Sequence, residues 1–113
     1  MMSGIPQRVF VGPHCYRLLV DANAIAKASV QEGAPILGYC EKAETRIVIE
    51  SNLVESLERE VVVHELLHAM CSLAGLDDEL GEDVEERVVT RLAPIIVDVL
   101  ERNENLCGYL SSK

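Results

Sequence analysis

At 113 residues the chain suits one domain with a single hydrophobic core and is too short for two. Apolar residues make up 49 % and charged residues 26 %, which excludes a disordered polyelectrolyte, while aromatics at 4 % leave the core to aliphatic side chains. A net charge of -9, from 19 acidic against 10 basic side chains, excludes a surface of clustered Lys and Arg, so nucleic acid is not expected as a partner.

The opening MMSGIPQRVF shows no signal-peptide pattern, and no apolar run reaches the ~18 residues of a membrane span. Cys15, Cys40, Cys71 and Cys107 are widely spaced, with no CxxC pair. Together these features predict a soluble cytoplasmic protein with reduced thiols and no membrane partner. RVFVGPHCYRLLV predicts a strand, a turn at Gly12-Pro13 and a second strand. DANAIAKASVQEGAP fits a short helix or an irregular loop, ended by Gly33 and Pro35 in either case. LGYCEKAETRIVIES predicts two strands joined around Glu41 to Glu44. In the second, Arg46, Val48 and Glu50 alternate with Ile47 and Ile49, as in an antiparallel hairpin with one buried face.

Ser51-Asn52 offers a helix N-cap, with Glu55 three residues beyond Asn52 as a capping-box partner, so a helix is expected from there to about Ala74, stopped by Gly75. Asp77 and Asp78 offer a second N-cap. The helix that follows carries Glu85, Val88, Val89, Leu92, Ile96 and Val99 on one face, and Pro94 predicts a kink or restart within it. Glu85 apart, the acids of DDELGEDVEE at 77–86 read as solvated surface and helix N-terminus. Asn103 to Lys113 is expected as a frayed tail anchored by Leu106, Tyr109 and Leu110. The whole is an α+β domain over residues 1–113, a small antiparallel sheet packed on two main helices.

Within the first of those helices, VVVHELLHAM sets His64 and His68 four residues apart. At about 100° per residue the two imidazoles project within about 40° of each other. The helix is apolar nearly all round, which predicts that both are buried, and a buried ring nitrogen left without a partner costs roughly 1 to 3 kcal/mol. A Zn²⁺ ion resolves this by taking one nitrogen of each ring, while the other donates to a neighbouring acceptor. Glu65 cannot ligate from the same face but can lean toward a metal-bound water as general base. Core histidines satisfied by carbonyls or waters are the plainer alternative.

A catalytic zinc needs a third protein ligand and one open position. Cys71 shares the histidine stripe, but about 10 Å of helix axis separates it from His64, so it is assigned to core packing. Position 71 is Cys rather than Gly and position 74 Ala rather than His, so the metzincin extension of the motif fails. A carboxylate is therefore expected. Glu85 leads because it sits on the apolar stripe of the next helix, and a charged Glu is almost never buried unless paired or metal-bound. Glu86 and Glu82 are the alternatives, followed by His14.

The order RIVIES, VVVHELLHAM, EERVVTRLAP and a closing helix resembles the small, often phage-encoded zincin-like metallopeptidases related to the ImmA/IrrE type. The likeness spans residues 36–106, rests also on GYCEKAETRIVIES, and gains nothing from the first 35 residues. It implies a minimal zincin-like fold in which His64, His68 and Glu85 bind zinc and Glu65 activates water for peptide-bond hydrolysis. It further implies a protein or peptide substrate lying as an extended strand along an exposed hairpin edge, Thr45 to Glu50, with Arg46, Val48 and Tyr39 in contact. Tyr39, Tyr109 and His14 are the candidate partners for the developing oxyanion. The alternative is a non-catalytic zinc-binding interaction module of the same fold.

Overall fold

The computed structural model describes residues 4–112. Its first hairpin joins β1 (Arg8–Val11) to β2 (His14–Val20) in antiparallel register, Val9 opposite Tyr16. Gly12 turns the chain at φ 58°, a left-handed conformation that favours glycine, and a Cβ there would push aside the tip of the exposed Leu73 side chain. Residues 22–32 settle the open choice as helix α1 (Ala22–Glu32). Asp21 caps it by accepting from the Ala24 N–H at 3.0 Å, and Gly33 closes it in the left-handed conformation. The second hairpin joins β3 (Gly38–Glu41) to β4 (Arg46–Ile49), antiparallel as expected.

The two hairpins meet through β2 and β4, which run parallel, Leu18 beside Ile47. The sheet is therefore mixed, with order β1-β2-β4-β3, which corrects the all-antiparallel expectation. The parallel joint is possible because α1 returns the chain to the Val20 end of the sheet, β3 runs back from there, and the hairpin turn reverses it again before β4 enters. A second correction follows from this order. β4 is flanked on both sides, so Thr45 to Glu50 offers no free edge; the free edges are β1 and β3. β4 is also buried on both faces. Ile47 and Ile49 join Val11, Tyr16, Leu18, Val61 and Ala69 in the main core, while Val48, 2 % exposed, alternates to the face where α1 packs.

The remaining chain is helical: α2 (Glu55–Leu73), α3 (Leu76–Leu80), α4 (Glu82–Arg102) and α5 (Glu104–Ser111). Neither expected side-chain N-cap forms. Asn52 is left-handed at φ 59°, α2 starts after Val54, and Glu55 turns outward to Arg59 instead. Gly75 and Gly81, both at positive φ, open α3 and α4. α4 runs as one element through Pro94, so no restart occurs, and its buried residues are Glu85, Val89 and Ala93. Val88, Leu92 and Val99 lie on the flank that α2 does not cover. The expected tail is helix α5, with Leu106, Tyr109 and Leu110 exposed rather than anchoring it; Lys113 lies outside the described residues. Among the described residues no helix is long and apolar enough to cross a membrane.

The product is an α+β domain in which α2 fits between the sheet and α4. Gly38 sets how closely the free strand β3 approaches α2. A Cβ there would sit 2.9 Å from Val61 Cγ1 and 3.1 Å from the Val48 carbonyl oxygen. The backbone of an unpaired sheet edge is thus held against the helix that carries the two histidines.

Candidate metal centre

His64 and His68 lie one turn apart on α2, and their ring centroids are 5.0 Å apart. Both are half-buried rather than sealed in the core, because their face opens on a groove. The opposite wall of the site is the start of α4. There Glu86 reaches both rings: Oε1 lies 2.9 Å from His68 Nε2 and Oε2 lies 3.3 Å from His64 Nε2. Thr90 Oγ1, one turn on, donates to Glu86 at 3.2 Å and steadies it.

Glu85 sits differently. It is 5 % exposed, and its Oε2 lies 2.5 Å from the Nδ1 of His68, on the core side of the ring. The expected third ligand is therefore not in the cluster; Glu86 takes that position. His64, His68 and Glu86 each offer one ligand atom, and these atoms lie within 4.8 Å of one another. The reason is rotation about α4. The buried stripe on which Glu85 was chosen aims it past the groove to the back of His68, and the next residue, about 100° round, faces the histidines. Glu82 lines the groove outside the cluster, and His14 lines a separate small cavity with Tyr16 and Leu73.

The cluster passes a chemical test for a cation. A neutral imidazole carries one N–H, yet both nitrogens of His68 face carboxylate oxygens. If Nδ1 donates to Glu85, Nε2 meets Glu86 only with an extra proton or with a metal ion between them. Ligand atoms around a tetrahedral Zn²⁺ at ~2.1 Å are separated by ~3.4 Å, so atoms that lie within 4.8 Å of one another would draw together by no more than about 1.4 Å to hold the ion. Two imidazoles and one carboxylate are also a donor set that zinc accepts with a position left open. Burial lowers the pKa of His64, favouring the neutral ring that can ligate, with Glu86 opposing that shift. Glu86 is itself held below the usual carboxylate range by His64 and His68, which outweigh its partial burial.

Glu65 projects beside the pair. It is 7 % exposed, lines the groove, and accepts no hydrogen bond from another side chain among the described residues. Burial raises its carboxyl to about 7, against a smaller downward pull from His68. A carboxyl so poised can both accept and return a proton near neutral pH. Cys71 is buried outside the cluster, and all four cysteines are free.

The groove runs along β3, between α1 on one side and α2 with the α3–α4 corner on the other. Of the three expected substrate contacts, only Tyr39 lines it. Val48 is buried in the central strand, and Arg46 is held by Glu41 at 2.6 Å, away from the groove. Of the expected oxyanion partners, Tyr39 is again the one present, its hydroxyl pKa raised by burial; Tyr109 stands exposed on α5. Two features escaped the sequence reading: the carboxylate of Glu85 behind His68, and β3 as the edge beside the site. The second had a signal, since three consecutive buried aliphatics, Ile47, Val48 and Ile49, mark a strand covered on both faces and hence a central one.

No family model, curated protein or solved structure matches the chain.

Proposed function

We propose that the protein is a zinc-dependent peptidase whose metal is held by His64, His68 and Glu86. The observation that carries this reading is the convergence of those three ligand atoms from α2 and α4 beside a buried, unpartnered Glu65, all open to one groove. Glu85 fixes the ring of His68 from behind, so that Nε2 is the nitrogen presented to the metal. Bound there, zinc would polarise a substrate carbonyl and lower the pKa of a water molecule to about 7.

The remaining steps belong to the chain. A peptide lies as an extra strand on β3, its main chain paired with the free edge. Glu65 takes a proton from the attacking water and returns it to the departing amine, a role that suits a carboxyl poised near 7. Tyr39, on the same strand, is positioned to meet charge developing on the carbonyl oxygen. Free thiols and the absence of a membrane-spanning helix among the described residues fit action in the cytoplasm.

The test is metal analysis of purified protein followed by digestion of a peptide library. One zinc per chain, with cleavage by the wild type and none by a zinc-retaining Glu65→Gln variant, supports the peptidase. Zinc without cleavage of any peptide by the wild type reassigns the centre to a binding module.

A further inference from the structure

We propose that the groove selects peptides bearing Lys or Arg side chains, all on one side of the bond that is cut. This rests on the peptidase reading and names the substrate class for that same site. Ten of the chain's 19 acidic side chains line this one groove, against two of its 10 Lys and Arg, Lys27 and Lys42. The imbalance far exceeds what a net charge of -9 spread evenly would give.

The acids are also unevenly placed along the groove. Gly38, at one end of β3, lies against Val61, a turn before His64. Lys42, just past the other end, shares a cavity with Ala69, Ser72 and Leu73, beyond His68. Strand and helix therefore run side by side in the same direction, with the metal cluster between the two ends. Asp77, Asp78, Glu82 and Asp83 come from the α3–α4 corner that follows α2, so they wall the Lys42 end. Asp77 follows Leu73 and the turn that ends α2, and Leu73 shares a cavity with Lys42, so both belong to that end. None of the four forms an ion pair among the described residues, and Lys42 is the one cation facing them in the groove. At the Gly38 end the wall includes Leu37, Leu57 and Val61, and Glu32, Glu60 and Lys27 also line the groove.

Two further observations point to a peptide as the occupant of this acidic wall. The neighbouring strand β3 presents an unpaired backbone edge along the groove. Between its ends, Glu65 is more than nine-tenths buried, without a side-chain partner, and opens on the same space. A peptide laid on β3 spans both ends, so residues on one side of the cluster meet the four acids and those on the other side meet aliphatic side chains. Alternate side chains of an added strand point toward the wall, so a basic residue at every second position is best placed.

The test uses the zinc-loaded full chain at low ionic strength and four fluorogenic peptides with one aliphatic centre. They carry a Lys-Arg pair before the centre, the same pair after it, a Glu-Asp pair, or no charge. The expected result is kcat/KM at least about tenfold higher for one of the two basic peptides than for the uncharged one, and lowest for the acidic peptide. Asp78→Asn/Glu82→Gln/Asp83→Asn, three exposed positions, should erase that preference while leaving hydrolysis of the uncharged peptide unchanged. Asp78→Lys/Asp83→Lys should turn it toward the acidic peptide. Cleavage indifferent to charge, equal preference for both basic peptides, or a preference that survives the triple variant overturns the proposal and leaves the peptidase standing. If no peptide is cut, fluorescence anisotropy with the Glu65→Gln protein decides the matter separately. Basic peptides bound through those acids support groove selectivity without catalysis, and no binding overturns it. Calcium at millimolar concentration that occupies the same acids and displaces every peptide equally would make the wall a cation site and overturn it too.

Discussion

Two adjacent glutamates on α4 divide the environment of His68, Glu85 at Nδ1 and Glu86 at Nε2. Removing a ligand costs more metal affinity than removing the group that orients one, which typically costs 10–100-fold. Glu86→Ala should therefore weaken zinc binding by more than ~100-fold and Glu85→Ala by ~10–100-fold, read by competition with a chelating dye. The reverse order would return Glu85 to the ligand set. Glu65 gives a prediction in pH. Burial holds its folded-state pKa at about 7, above the ordinary glutamate value of 4.5, so between those values the folded chain holds a proton that the unfolded chain has lost. The contribution of Glu65 to the stability of the metal-free protein is thus full below about pH 4.5 and is lost as pH rises to about 7, an amount of order 3 kcal/mol. Chemical denaturation across that range should show the decline, and Glu65→Gln should flatten it. At this scale the sequence was legible where chemistry and spacing coincide: His64, Glu65 and His68 follow from HELLH and helix periodicity. The third member of the cluster was not, because one step of about 100° round α4 separates Glu86 from Glu85, and the apolar stripe that carries Glu85 marks the side turned to the core rather than the side turned to the groove.

At the scale of elements, the positions of the strands and of the long helices are legible in local signals, and pairing over distance is not. Both hairpins and the long histidine helix follow from alternation, turn residues and the run of apolar positions. The parallel joint between β2 and β4 depends on a crossover of about two dozen residues, on which no local pattern reports. Capping was misread for a related reason. Asn52 has the side chain of an N-cap but adopts the left-handed backbone that asparagine also tolerates, and the chain enters α2 three residues later, at Glu55. α4 has an apolar arc wider than α2 can cover, so Leu92 and Val99 face outward although they belong to the pattern. The contact that matters most for the site is between β3 and α2 at Gly38, and it supports a direct test. Gly38→Ala inserts a methyl group 2.9 Å from Val61 Cγ1, where the stiff β-branched side chain and the Val48 carbonyl leave no slack. Overpacking of this kind costs about 1 to 3 kcal/mol. A lower melting temperature should therefore accompany loss of peptide cleavage, because β3 must move off the helix. Gly38→Ala with Val61→Ala should recover stability, and a double variant that stays as unstable as the single one would mean the close approach is not what holds the strand.

Over the whole molecule, the excess of 19 acidic over 10 basic side chains is concentrated rather than uniform. The groove gathers about half the acids, and at its α3–α4 end they are open to solvent. Individual surface ion pairs are worth little, so these acids act less as fixed contacts than as a field over the mouth of the groove. Such a field falls away over a Debye length, about 10 Å at 0.1 M salt and 3 Å at 1 M. The extents of the chain, 43 × 37 × 25 Å, mean that at low salt the field reaches well beyond the groove and at high salt does not leave it. Ionic strength should therefore act on capture rather than on the chemical step. Between about 10 mM and 500 mM monovalent salt, kcat/KM for a Lys-containing peptide should fall by roughly tenfold while kcat stays constant. An uncharged peptide should be insensitive, and an acidic one should be cut faster as salt screens its repulsion. A fall in kcat itself, shared by all three peptides, would move the effect of salt from the acidic wall to the cluster of His64, His68 and Glu86 and overturn the reading that the field acts on capture.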